Sequence, residues 1–176
     1  MKSGFSIVNN SIRDEIMSYR EKGALRGCYL GFPLLDEHYS IALPGCTDIS
    51  GFPASGKSEF LLELLLNTSL YYGWKHLLYV PDVGDKNEVV AILIHKISGK
   101  TFDKRFVNSN YISEQEVDRN LDWILHHFRI MVKDDMKAKI SPYEFWDIAA
   151  KMNKETDGGI QTATIDSWKD MKHGIG

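Results

Sequence analysis

Residues 51 to 58 read GFPASGKS, and this octet constrains the fold more than any other part of the chain. Its spacing, G-x-x-x-x-G-K-S, suits a loop whose backbone N–H groups converge on phosphate oxygens, because neither Gly51 nor Gly56 carries a Cβ to crowd them. The chemistry requires a context, namely a strand before the loop and a helix after it. A glycine-bearing turn that merely begins a helix would satisfy the same eight letters. The flanking sequence therefore decides how the octet is read.

CTDIS (46–50) has the composition of a short strand and stands directly before the octet. After it, 58–72 is rich in Leu and Glu, continues an apolar face through Leu70, and is followed by Gly73 where a helix-ending glycine belongs. The order strand, octet, helix is thus predicted. Further on, HLLYV (76–80), FRIMV (128–132) and IQTATI (160–165) read as strands. Helices are expected over 11–23, 87–97, 114–128 and 141–156. Ser141, Pro142 and Glu144 supply an N-cap, a first-turn proline and a capping box for the last of these, which Asp157-Gly158-Gly159 breaks. Alternating strands and helices give an α/β protein with a mainly parallel sheet flanked by helices.

In this frame each residue of the octet has a role. The loop Gly51, Phe52, Pro53, Ala54, Ser55 and Gly56 would wrap a β-phosphate, with the positive end of the following helix behind it. Lys57 would reach the β/γ oxygens of ATP, and the Ser58 hydroxyl would ligate Mg²⁺. Asp166, at the end of an apolar β-branched strand, is the expected second Mg²⁺ partner through water. Asp82, just past HLLYVP, is the candidate water-activating acid, although PDVGD is also ordinary turn sequence. Asp85 and Glu88 are weaker candidates. His126 and His127 read as helix-end packing, and no Cys/His spacing suggests zinc. Trp123, Phe128, Phe145 and Trp146 are expected in the core, while Trp168 beside Asp166 is open.

Composition excludes some classes of function. With 176 residues, 43% hydrophobic and 26% charged, the chain suits one ordinary globular domain. A net charge of −3 gives no global reason to bind nucleic acid, though a local basic stripe is compatible with it. The longest apolar cluster, FLLELLL (60–66), is too short to span a bilayer and contains Glu63. No signal peptide is legible at the N-terminus, and a cytoplasmic protein of a bacterium or phage-infected host is expected. Cys28 and Cys46 are expected to be buried thiols rather than a disulfide.

Taken together, the motifs resemble a RecA-fold P-loop ATPase of the DnaB-like replicative helicase family, in particular its phage and Twinkle-like branches. GFPLLDEHYSIALPGCTDISGFPASGKSEF resembles the run into the family's Walker A motif. LLYVPDVGDKNEVVAILIHKISGKTF resembles the stretch after the second strand, and TATIDSWKDMKH the Walker B strand, with Asp166 on its aspartate. The resemblance spans about 27–176, leaving 1–26 as a lead-in of short helix and linker. It implies ATP and Mg²⁺ as ligands, single-stranded DNA as a partner of the complete protein, and a homo-oligomeric, hexameric ring. Two departures stand out. Asp82 occupies the place of the family's catalytic glutamate, and ten residues follow Asp166, whereas the family's DNA loops, arginine finger and a further strand come later than that. The resemblance therefore implies a fold incomplete at its C-terminal end and slow hydrolysis by this chain alone. A RecA-like recombination or repair ATPase and a non-catalytic nucleotide-binding module are the competing readings.

Overall fold

The structure is a computed structural model and describes residues 12–22, 27–81, 86–106, 110–133 and 138–172. The chain groups into two units, Met1–Thr47 and Asp48–Gly176. In the first, α1 (Arg13–Lys22) forms where expected, with Ile16 and Tyr19 about half exposed. A single helical turn, α2 (Pro33–Asp36), follows. The Asp36 carboxylate accepts the Leu30 and Gly31 N–H groups at 2.5 and 3.0 Å. Cys28 and Ile41 form an antiparallel bridge, against which any side chain at position 27 would lie 2.3 Å from the Ile41 backbone.

The second unit is the α/β part. Its elements are α3 (Lys57–Tyr72), β1 (His76–Tyr79), α4 (Lys86–Ser98), α5 (Glu114–His127), β2 (Phe128–Met131), α6 (Pro142–Glu155) and β3 (Thr162–Ile165). The three strands make a parallel sheet in the order β2-β1-β3, with His76 opposite both Phe128 and Thr162. Parallel sheets need both faces covered, and β1 is accordingly buried along its whole length. Alternation splits it. Leu77 and Tyr79 pack with Phe145 and Ala149 of α6 and with Met171, whereas His76 meets the end of α3 through hydrogen bonds to Thr68 and Ser69.

Helix ends follow local chemistry. Gly73 ends α3 in the left-handed region (φ 66°), and Gly99 does the same after α4. Gly158 and Gly159, both left-handed, break the chain after α6. Ser141 caps α6 by accepting from Glu144 N–H at 3.2 Å, while the Glu144 carboxylate accepts Ser141 N–H at 2.6 Å. That carboxylate is held below its usual range by these bonds. Ser141→Ala is expected to cost ~1 kcal/mol and lower Tm by about 2–4 °C in a thermal melt, while Ser141→Asp, which still caps, restores it.

Several expectations are corrected. Residues 46–50 form no strand. Their backbone forms no ladder with any of the described residues, and a strand exists only through its partner ladder. The octet is therefore followed by its helix but not preceded by a strand. Cys46 is exposed and Cys28 half-buried, so the thiols are free but not core groups. Trp146 and Leu70 are about half exposed: each lies one step round its helix from the face that packs. Phe128 and Phe145 are core as expected. His127 stacks on Trp123 and bonds its carbonyl at 3.0 Å, in keeping with helix-end packing.

Candidate nucleotide site

The loop 51–58 is built from its two glycines and its lysine. Gly56 sits at φ 83°, a conformation that side chains rarely adopt, and it serves as the N-cap of α3 without offering any side-chain cap. Ala54 is left-handed as well (φ 59°), so the chain curls twice within the loop. Such curls bring successive N–H groups to one side and make an anion-binding concavity. The first helical bond runs from Phe60 N–H to the Gly56 carbonyl at 2.9 Å, which leaves the N–H groups ahead of it for a ligand.

Lys57 is folded over this loop. Its ammonium donates to the Phe52 carbonyl at 2.7 Å, and the same carbonyl accepts Ser55 N–H at 3.3 Å. A Cβ at Gly51 would lie 3.2 Å from Ser55 Oγ, a tight contact, and 3.6 Å from the Lys57 side chain, an ordinary one. The loop is solvent-facing throughout, with Phe52 86% exposed. A curled, uncapped helix start with one mobile-length cation over it fits a phosphate group.

Asp166 directly extends β3. Its N–H donates to the Tyr79 carbonyl at 2.9 Å, continuing the ladder by one residue, and it is half-buried at the C-terminal end of the sheet. Ligands of open α/β sheets bind outside the carboxyl ends of the strands, so this is the productive end. Among the described residues, no hydrogen bond or ion pair joins the Asp166 carboxylate to the loop. Gly51, Phe52, Ser55 and Lys57 are thus brought together. Asp82 and Asp85 lie outside the described residues.

Lys96 of α4 donates to Glu59 Oε2 at 2.8 Å and to Glu63 Oε2 at 3.2 Å, both on α3. Burial alone would lower the Lys96 pKa, but the bonds to the two glutamates outweigh it and the net shift is upward. The signal available in sequence was the i, i+4 spacing of Glu59 and Glu63, which puts both carboxylates on one helix face.

The fold and loop define a class: a small parallel sheet flanked by helices, consistent with a RecA-like α/β fold, with a glycine-lysine loop opening a helix. No family model matches the chain. It is similar to the Twinkle homolog protein, chloroplastic/mitochondrial, of Arabidopsis thaliana, with 27% identity over 163 residues. The match takes in 91% of this chain but 23% of that protein. This is a distant relation, in the direction of the Twinkle-like branch that the motifs resemble. Among the described residues no helix is long and apolar enough to cross a membrane.

Proposed function

We propose that the chain is the ATP·Mg²⁺-binding core of a DnaB-like replicative helicase, in which hydrolysis drives translocation along single-stranded DNA once the ring is complete. The observation that carries the reading is the loop itself: left-handed Ala54 and Gly56, an uncapped α3 and the Lys57 ammonium over the Phe52 carbonyl. The distant similarity to a Twinkle homolog supports the helicase side of it.

In this reading the first-turn N–H groups of α3 donate to the β-phosphate oxygens, and Lys57 exchanges the Phe52 carbonyl for β/γ oxygens. Ser58 and, through water, Asp166 would hold Mg²⁺, which would supply positive charge beside the phosphates. Asp82 would orient the attacking water. The exchange made by Lys57 favours binding, because a charged acceptor replaces a neutral one.

The test is titration of a fluorescent ATP analogue into the full chain with and without Mg²⁺, after circular dichroism has confirmed folding. Saturable, Mg²⁺-strengthened binding is expected. A folded chain that binds no ATP under either condition overturns the reading.

A further inference from the structure

Four helices of the second unit, α3 to α6, carry glutamate at the third helical position, and three of these glutamates have bonds that show two uses. In α5, Glu116 turns back and accepts Ser113 N–H at 3.1 Å; in α6, Glu144 accepts Ser141 N–H at 2.6 Å. Each closes its own helix start. In α3 the equivalent residue is Glu59, counted from the Gly56 N-cap. Its carboxylate is bonded to Lys96 instead, at 2.8 Å. The Lys96 side chain is 14% exposed, against 62% for Glu59 and 40% for Glu63.

A glutamate at this position has two ways to oppose an anionic ligand. It can fold back onto the first N–H groups and occupy them, and its charge repels phosphate across a few ångströms. We propose that Lys96 is a positioning residue for the loop 51–58: it holds Glu59 toward α4 and offsets its charge, keeping the start of α3 open to a nucleotide phosphate. The inference rests on the nucleotide-binding reading above. Lys96 itself touches no ligand in this scheme and acts through Glu59. Glu63, one turn further along, completes the pair that fixes the ammonium.

The experiment compares Mg²⁺·ATP affinity of the full wild-type chain, Lys96→Met, Glu59→Ala and the double variant, each checked for folding. Alanine is chosen at 59 because glutamine could still fold back as a cap. Lys96→Met is expected to weaken binding roughly three- to thirtyfold, the scale of one uncompensated charge near the site. Glu59→Ala alone is expected to change it less than about twofold, and the double variant to return close to wild type. A purely structural role in α3–α4 packing would not be rescued by removing Glu59. If wild type binds while Lys96→Met binds equally well, or its loss persists in the double variant, the inference is overturned and the nucleotide reading stands. Where Lys96→Met does not fold, Glu59→Ala decides: tightening by tenfold or more would show that Glu59 was not held off, and an unchanged affinity agrees with the proposal. A folded wild type that binds no ATP overturns the nucleotide reading, and this inference with it.

Discussion

Lys57→Ala is expected to lower Mg²⁺·ATP affinity by about 100-fold or more while leaving the fold intact. A hydrogen bond to a charged group is worth about 1.5–3 kcal/mol, and an ammonium bridging β- and γ-phosphate oxygens makes two of them. Losing both corresponds to roughly two to four decades in Kd. The stability side is different. Among the described residues the Lys57 ammonium has one bond, to the Phe52 carbonyl in a loop open to solvent, and removing an exposed contact of this kind changes stability by about 0.5 kcal/mol or less. Titration with a fluorescent ATP analogue and a thermal melt of both proteins separate the two effects. A folded variant that binds as well as wild type would remove Lys57 from the site and return the octet to a helix-starting turn.

What could be read in the sequence and what could not divides along a physical line. Features set by neighbours in the chain were legible: Ser141 with Glu144 forming a cap, Gly73 ending α3, and the apolar runs that became β1, β2 and β3. Features set by distant partners were not. CTDIS has strand composition, yet its residues find no ladder, and composition cannot supply one. Phe145 and Trp146 are adjacent large aromatics, and only one faces the sheet: Phe145 shares the α6 face with Ile148, Ala149 and Met152, and Trp146 is rotated off it. Lys96 meets Glu59 and Glu63 across an interval of chain that has no periodicity to betray it. In the loop itself, the sequence pattern accounts for the turn at Gly56, whose left-handed backbone favours glycine. The pairing of α3 with α4 through Lys96, Glu59 and Glu63 is a tertiary fact.

Histidine 76 sets the second large expectation, a loss of stability in mild acid. The ring lies on the central strand, fully buried against Phe128, with ring centroids 5.1 Å apart. Nε2 is 2.9 Å from Ser69 Oγ and Nδ1 is 2.7 Å from Thr162 Oγ1. Ser69 Oγ donates to the Trp74 carbonyl, so it accepts from the ring; Nε2 then carries the proton and Nδ1 accepts from Thr162. The neutral ring is satisfied on both sides and ties α3 to β1 and β3. Burial pushes the pKa down to about 3, opposed by a bond to the Leu65 backbone and aided by the nearby charge of His127. In the unfolded chain the ring titrates near 6.5, so between that value and about 3 the unfolded state binds the extra proton. Stability is therefore complete above pH 6.5 and falls as the pH drops through this window, by about 2 kcal/mol from pH 7 to pH 5. Carboxylates in the unfolded chain titrate lower, which leaves the pH 7 to 5 interval to histidine; the pKa of His127 is also lowered, first by burial, and adds in the same direction. Urea unfolding at pH 7, 6 and 5 should show the decline in wild type, a smaller one in His127→Gln, and a nearly flat profile once His76 is also replaced by Gln. If the His76 substitution prevents folding, ring NMR of the wild type answers the same question, since one of the six histidines should stay neutral at pH 5. Six rings all titrating near 6.5, with no loss of stability by pH 5, would mean that water reaches His76 and that the polar tie between α3 and the sheet is not closed.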